Sequence, residues 1–343
     1  MDFCKFQVYS KNDLFSNFQI DYLEPMELKP ELIKRIEALG EKYSAMGQDL
    51  VSYLDGLLYA DFLTYWDYVH VDTLLSLQNP RTSFPDEEIF IIYHQITELY
   101  FKLCLNEFNQ LGSAQIPELK FFLTRINRIN SYFENLVRSF EIMVEGMEPE
   151  QFLKFRMSLL PASGFQSAQY RMIEICATDF IHLVGKEHRT KFGKDSSIEI
   201  MYEFIYWKAG ATELATGQKT LTLKQFEEKY SAELMKLANE KVLLNLWQLF
   251  KKLPKADQTD PRILVAMKML DVNVNVNWPL SHYKSAVRYL QKDPEDIKAT
   301  GGTNWQKYLP PRFQKRIFFP DLWSATEKEN WGKTWISKEV FGL

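Results

Sequence analysis

The residues of this chain whose types could do chemistry are five histidines, an arginine in an aromatic helix and a short threonine-glycine run. The histidines are His70, His94, His182, His188 and His282. None stands one helical turn from another, and no His-Glu-x-x-His or clustered Cys/His pattern occurs, so the sequence offers no support for a zinc hydrolase. His94 lies in Phe90-Ile91-Ile92-Tyr93-His94-Gln95, and at helical spacing Phe90 and Phe101 share its face. An imidazole among aromatic rings is either a hydrogen-bonded core group or a group that meets a cofactor or a flat substrate. His282 follows Trp278 by one turn and precedes Ala286 and Leu290 on one stripe, which leaves the same two readings open. Arg171 stands three residues before Glu174, so it either pairs with it along a helix or grips a carboxylate through two parallel hydrogen bonds. The glycines of Thr300-Gly301-Gly302-Thr303 either shape a turn or bring backbone close to a ligand.

Helices must hold these groups. Glycine and proline number 14 each, and many of them cluster at Asn79-Pro80, Phe84-Pro85, Pro161 to Gly164, Asp260-Pro261, Asp293-Pro294, Gly301-Gly302 and Pro310-Pro311. Between Ile89 and Phe108 the residues Ile92, Ile96, Leu99 and Leu103 recur at spacings of four, three and four, which is helix period. Similar patterns predict helices over 30–58, 117–144, 166–183, 198–208, 223–252, 260–269 and 280–290, while strand-like alternation is nearly absent. The expected fold is all-α, with an N-terminal helical extension over 1–59 and one helical domain over 60–343. Gly185 to Ser197 reads as a polar loop.

Composition narrows the class. With 343 residues, 46% hydrophobic, 25% charged and a formal net charge of −4, the chain has the make-up of a globular protein, and no basic excess points to nucleic acid. Aromatic residues make up 15%, enough for packed interfaces or for a pocket shaped to a flat ligand. Cys4, Cys104 and Cys176 are too few and too scattered for a disulfide framework or a cysteine zinc site, which fits a reducing compartment. The N-terminus shows no secretory pattern, and no apolar run approaches the ~18 residues of a spanning helix. The expectation is a cytoplasmic protein with no membrane partner.

Four segments, in order, resemble the tryptophan 2,3-dioxygenase family. Tyr65-Trp66-Asp67-Tyr68-Val69-His70-Val71-Asp72-Thr73-Leu74-Leu75 is similar to the family's Tyr-Gly-x-Tyr-Leu-x-Leu-Asp-x-Leu-Leu segment. Phe90 to Gln95, with Glu98-Leu99 and Lys102, resembles its distal-haem helix. Ser163-Gly164-Phe165-Gln166-Ser167-Ala168-Gln169-Tyr170-Arg171 with Ile173-Glu174 follows a family motif almost letter for letter. Trp278-x-x-x-His282, Thr300 to Thr303 and Phe318-Phe319-Pro320-Asp321-Leu322-Trp323 resemble its carboxyl-terminal set.

The resemblance implies b-type haem with His282 as axial iron ligand and His94 as the distal imidazole facing a substrate's indole N–H. It implies that Phe90 walls the pocket, that Arg171 and Thr300 bind the amino-acid end, and that Tyr68 and Val69 line the indole site from a neighbouring subunit. The implied reaction is opening of the L-tryptophan indole ring by O2 to N-formylkynurenine, in a homotetramer. Related readings are a haem-dependent aromatic oxygenase that hydroxylates tyrosine or a modified indole, and a non-catalytic haem sensor. The sequence departs from the family pattern at Ala299-Thr300-Gly301-Gly302-Thr303-Asn304-Trp305, where Trp305 replaces a small residue. It departs also at Tyr93, at Trp66, at Pro279 and through an added stretch around Lys292 to Asp296.

Overall fold

A computed structural model describes residues 29–60, 63–113, 118–159, 166–193, 196–212, 217–290 and 311–332. Among these residues the chain is helical, and backbone pairing of strand type is confined to two isolated bridges, Val184 with Ile205 and Thr212 with Lys219. No described helix is long and apolar enough to cross a membrane. The chain divides into two compact units after Leu75, beyond the division expected at residue 59.

The first unit contains α1 (Pro30–Ala45), α2 (Leu50–Leu58), α3 (Tyr65–Val69) and α4 (Val71–Leu75). The single helix predicted over 30–58 is broken at Gly47, whose φ of 67° is available to glycine at little cost. Asp49 then restarts the chain as an N-cap, accepting from the backbone N–H groups of Val51 and Ser52. None of these four helices has a buried residue.

The second unit is built around α5 (Asp86–Ser113), packed against α6 (Leu119–Ser139), α7 (Pro149–Phe155) and α8 (Ala168–Ala177). Three acidic residues open α5, complementing its positive dipole end, and the Glu87 carboxylate accepts from the backbone of Arg81 and Thr82. The buried face of α5 is Tyr93, Thr97, Phe101, Cys104, Phe108 and Leu111. The stripe whose period announces the helix, Ile92, Ile96, Leu99 and Leu103, is its exposed face. Apolar residues on two sides of one helix mean that periodicity locates the helix without saying which side meets the core.

On α6, Phe122, Ile126, Ile129, Phe133 and Leu136 form a buried seam at spacings of four and three. α9 (Leu221–Lys241) packs on α8, and the long helix predicted to run on to residue 252 is interrupted. Asn245 caps a new helix there, its side-chain oxygen accepting from Gln248 N at 3.0 Å. α10 (Pro261–Val272) packs on α6 and leads through one π-helical turn, Asn273–Asn277, into α11 (Trp278–Leu290). That π turn sits immediately before the helix that carries His282.

Candidate active site

His282 lies on α11 and His94 on α5, and each ring is fixed in the same way. Nδ1 of His282 donates to the Trp278 carbonyl one turn back at 3.0 Å, and Nδ1 of His94 donates to the Phe90 carbonyl at 2.7 Å. An Nδ1–H committed to a carbonyl leaves the lone pair on Nε2, free to meet a metal or to accept a hydrogen bond. Among the described residues neither Nε2 has a partner. Burial lowers the pKa of both rings; His282 falls to about 4, with the neighbouring His94 adding to the effect. The rings therefore lie close enough for charge on one to disfavour charge on the other, and both are neutral at pH 7.

His94 is exposed, and yet the protein around it disfavours its charged form. The two facts agree if the ring faces a concavity rather than bulk solvent. Aromatic side chains wall that region. Phe90 stacks on His94 with ring centres 4.1 Å apart, and Phe155 and Phe152 of α7 approach Phe90 at 5.9 and 6.4 Å. Phe152 in turn meets Tyr289 of α11 at 4.7 Å. Against His282 stand Phe140 at 4.4 Å and Trp278 at 4.5 Å. A neutral imidazole with an open Nε2 in an apolar aromatic slot is what a b-type haem requires of its axial side, so the residues present fit that group. No group of three or more His, Cys, Asp or Glu side chains converges among the described residues, and an iron held by a porphyrin and one imidazole calls for none.

Three buried arginines, Arg156, Arg171 and Arg316, lie among the described residues of this unit. Arg171 on α8 donates to Glu174 at 2.8 Å and to the Tyr206 hydroxyl at 2.5 Å, the along-helix pairing that the sequence left open. Glu174 also receives Arg316 at 2.5 Å and the Tyr206 hydroxyl at 2.5 Å, so its carboxylate sits between two guanidinium groups. Arg156 directly follows Phe155 at the start of a 3-10 turn and is 5% exposed. Burial lowers the pKa of its guanidinium. Sequence reasoning passed over Arg156. Its available signal was Phe152-x-x-Phe155-Arg156, an arginine adjoining two aromatic residues one turn apart.

The remaining expected site residues are placed as follows. Tyr68 and Val69 lie exposed on α3 in the first unit, with Trp66 beside them. Thr300, the two glycines after it and Trp305 fall outside the described residues, as do Ser163 to Phe165. Tyr93 is buried with its hydroxyl donated to the Leu136 carbonyl at 3.1 Å and its ring edge-on to Phe140 at 5.6 Å. Its polar end is thus spent on α6. His182 bonds with Thr178 and the Phe318 carbonyl, and His188 lies 3.6 Å from Glu187, so neither joins the imidazole pair.

The described residues of this all-helical unit thus bring two neutral imidazoles near one another among aromatic side chains. Comparison with known proteins gives the family. The tryptophan 2,3-dioxygenase family model matches residues 58–252, more than half of the chain. A tryptophan 2,3-dioxygenase of Bacillus thuringiensis subsp. konkukian is 26% identical over 286 residues, covering 79% of this chain and 95% of its own. One from Bradyrhizobium diazoefficiens is 27% identical over 272 residues, covering 76% and 91%. Another, from Ruegeria sp., is 41% identical over 120 residues, covering 34% and 42%. The chain belongs to the tryptophan 2,3-dioxygenase family, and is an oxidoreductase.

Proposed function

We propose that the protein is a haem-dependent dioxygenase that opens the indole ring of L-tryptophan with O2 to give N-formylkynurenine. One observation carries the reading: His94 is a neutral imidazole whose Nδ1–H is committed to Phe90, so its Nε2 is an acceptor in a cleft that also contains His282. An acceptor there selects a flat substrate with a ring N–H. Tyrosine has none.

In this reading His282 holds the haem, with Phe140 and Trp278 supporting its ring. Bound haem supplies the activation of dioxygen, and the chain's own residues bind and orient the substrate. His94 Nε2 accepts the indole N–H, while Phe90 and Phe155 flank the ring and limit its tilt. Fixing the indole C2–C3 bond next to the oxidant is the chain's main contribution to rate.

We assign the grip on the substrate carboxylate to Arg156 rather than Arg171. Arg171 is bonded to Glu174 and Tyr206, whereas Arg156 is a buried guanidinium whose neighbour Phe155 packs on the Phe90 ring that stacks on His94. A buried guanidinium beside that wall suits an anionic ligand. Thr300 retains its proposed place at the same end of the substrate, and Tyr68 and Val69 theirs at the indole site. A homotetramer accounts for two exposed apolar surfaces: the Ile92, Ile96, Leu99 and Leu103 seam on α5, and helices α1 to α4 with no buried residue. The compartment proposed is the cytoplasm.

The test is a binding titration of the haem-loaded protein followed by its Soret spectrum. L-tryptophan is expected to perturb the spectrum, and 1-methyl-L-tryptophan, which lacks the ring N–H, to bind at least tenfold more weakly. Equal binding of the two would remove the role given to His94. A response to L-tyrosine with none to L-tryptophan would favour the hydroxylating relatives.

A further inference from the structure

We infer that Arg316 is a positioning residue for His282, because it pins the π turn that sets the rotation of α11. This rests on His282 being the axial haem ligand. The turn Asn273–Asn277 is wound as π-helix between two α-helices, and four of its five residues, Asn273, Val274, Asn275 and Val276, are buried. A π turn holds one residue more than the α-helical turn it replaces, so its loss would rotate everything after it by about 100°. His282 lies in the first turn and a half after it, and its ring is oriented by the Trp278 carbonyl, the first residue beyond the turn.

Arg316 reaches this turn through two of its nitrogens. Nε donates to the Asn275 side-chain oxygen, and Nη2 to the Val274 carbonyl at 3.4 Å and to the Tyr170 hydroxyl at 2.9 Å. Tyr170 passes its own proton to the same Val274 carbonyl at 2.9 Å. The far end of the guanidinium is anchored on Glu174 at 2.5 Å. Asn275 is held from its other side, donating to Asp271 at 2.7 Å, and that carboxylate also receives the backbone N–H groups of Phe318 and Phe319 and the Trp323 indole. The segment that follows Arg316 is thereby tied to the same turn. Lys315, immediately before Arg316, has a φ of 44°, a strained value for a residue with a side chain. A buried ion pair alone is weak stabilisation, and apolar residues of similar volume can often replace one. What apolar residues cannot supply is donors aimed at the Val274 carbonyl and the Asn275 side chain, which a regular α-helix would not present there.

The test uses the haem-loaded protein and the variants Arg316→Met, Arg316→Lys and Asn275→Leu. With far-ultraviolet circular dichroism and cooperative unfolding retained, Arg316→Met is expected to shift or broaden the ferrous iron–histidine stretch in resonance Raman. It should also release haem to an apoprotein acceptor at least tenfold faster. Arg316→Lys should recover part of both. In haem-free protein, amide exchange across 273–278 should rise at least tenfold over the core of α6. If Arg316→Met fails to fold, Asn275→Leu carries the same expectations. A folded variant with the wild-type iron–histidine band, haem release and exchange would overturn the assignment to Arg316. His282→Ala separates the underlying reading: if it keeps stoichiometric haem and that band, His282 is not the ligand, whatever Arg316 does.

Discussion

Replacing Arg156 and Arg171 in turn by methionine separates an arginine held for a ligand from one held for the fold. A two-pronged, charge-assisted bond to a substrate carboxylate in a desolvated site is worth about 3 kcal/mol, or roughly two orders of magnitude in KM at about 1.4 kcal/mol per tenfold. Arg156→Met should therefore raise KM about 100-fold, with a smaller change in kcat, since the carboxylate lies at the end of the substrate remote from the ring. Its stability should fall by less than that of Arg171→Met, because methionine fills most of the space the buried side chain leaves. Arg171→Met removes the 2.8 Å bond to a Glu174 that is 1% exposed, and the bond to Tyr206. Stripping one partner from a buried ion pair costs about 3–5 kcal/mol. Urea unfolding of the haem-free proteins, beside steady-state kinetics, reads both effects. The reasoning fails if Arg171→Met shows the 100-fold rise in KM at wild-type stability while Arg156→Met binds substrate normally.

Other expectations follow from the same geometry. His94→Phe should keep stoichiometric haem and lose at least tenfold in kcat/KM for L-tryptophan, a split that pyridine haemochrome content and product formation resolve. Asp271 is fully enclosed, and burial lifts its carboxyl to about 6 despite four N–H donors. A raised folded-state pKa adds stability below the unfolded value near 4 that is lost as pH rises through about 6. Unfolding at fixed urea should therefore show a contribution of about 3 kcal/mol fading across that window, absent in Asp271→Asn. A pH profile with no such difference between the two proteins would remove Asp271 as its source. Ile96→Asp, on the exposed α5 seam, should lower the assembly state in sedimentation velocity while leaving helicity unchanged; an unaltered assembly would place that seam outside the interface.

The helical class and the family resemblance were legible in the sequence because each rests on local patterns. Helix period survives in any window of α5, and Trp278-x-x-x-His282 spells one turn of α11. The spacing of Arg171 and Glu174 left pairing or carboxylate binding open, and only the fold shows the pair formed and Arg156 buried beside the aromatic residues around His94. The same holds for the faces of α5, where two apolar stripes compete and burial is decided by α6 and α8. The π turn was hidden for another reason. Asn273-Val274-Asn275-Val276-Asn277 has no helical period of its own, and its winding depends on Arg316 and Tyr170, distant in sequence.

The central claim is that both atoms of one dioxygen molecule enter the indole ring of L-tryptophan. Haem-loaded, reduced protein given L-tryptophan under 18O2, followed by mass spectrometry of the product, measures this directly. N-formylkynurenine heavier by two labelled oxygens, formed by wild type and lost in His282→Ala, is the predicted result. A product carrying a single labelled oxygen, or tryptophan recovered intact while another aromatic amino acid is oxidised, would contradict it.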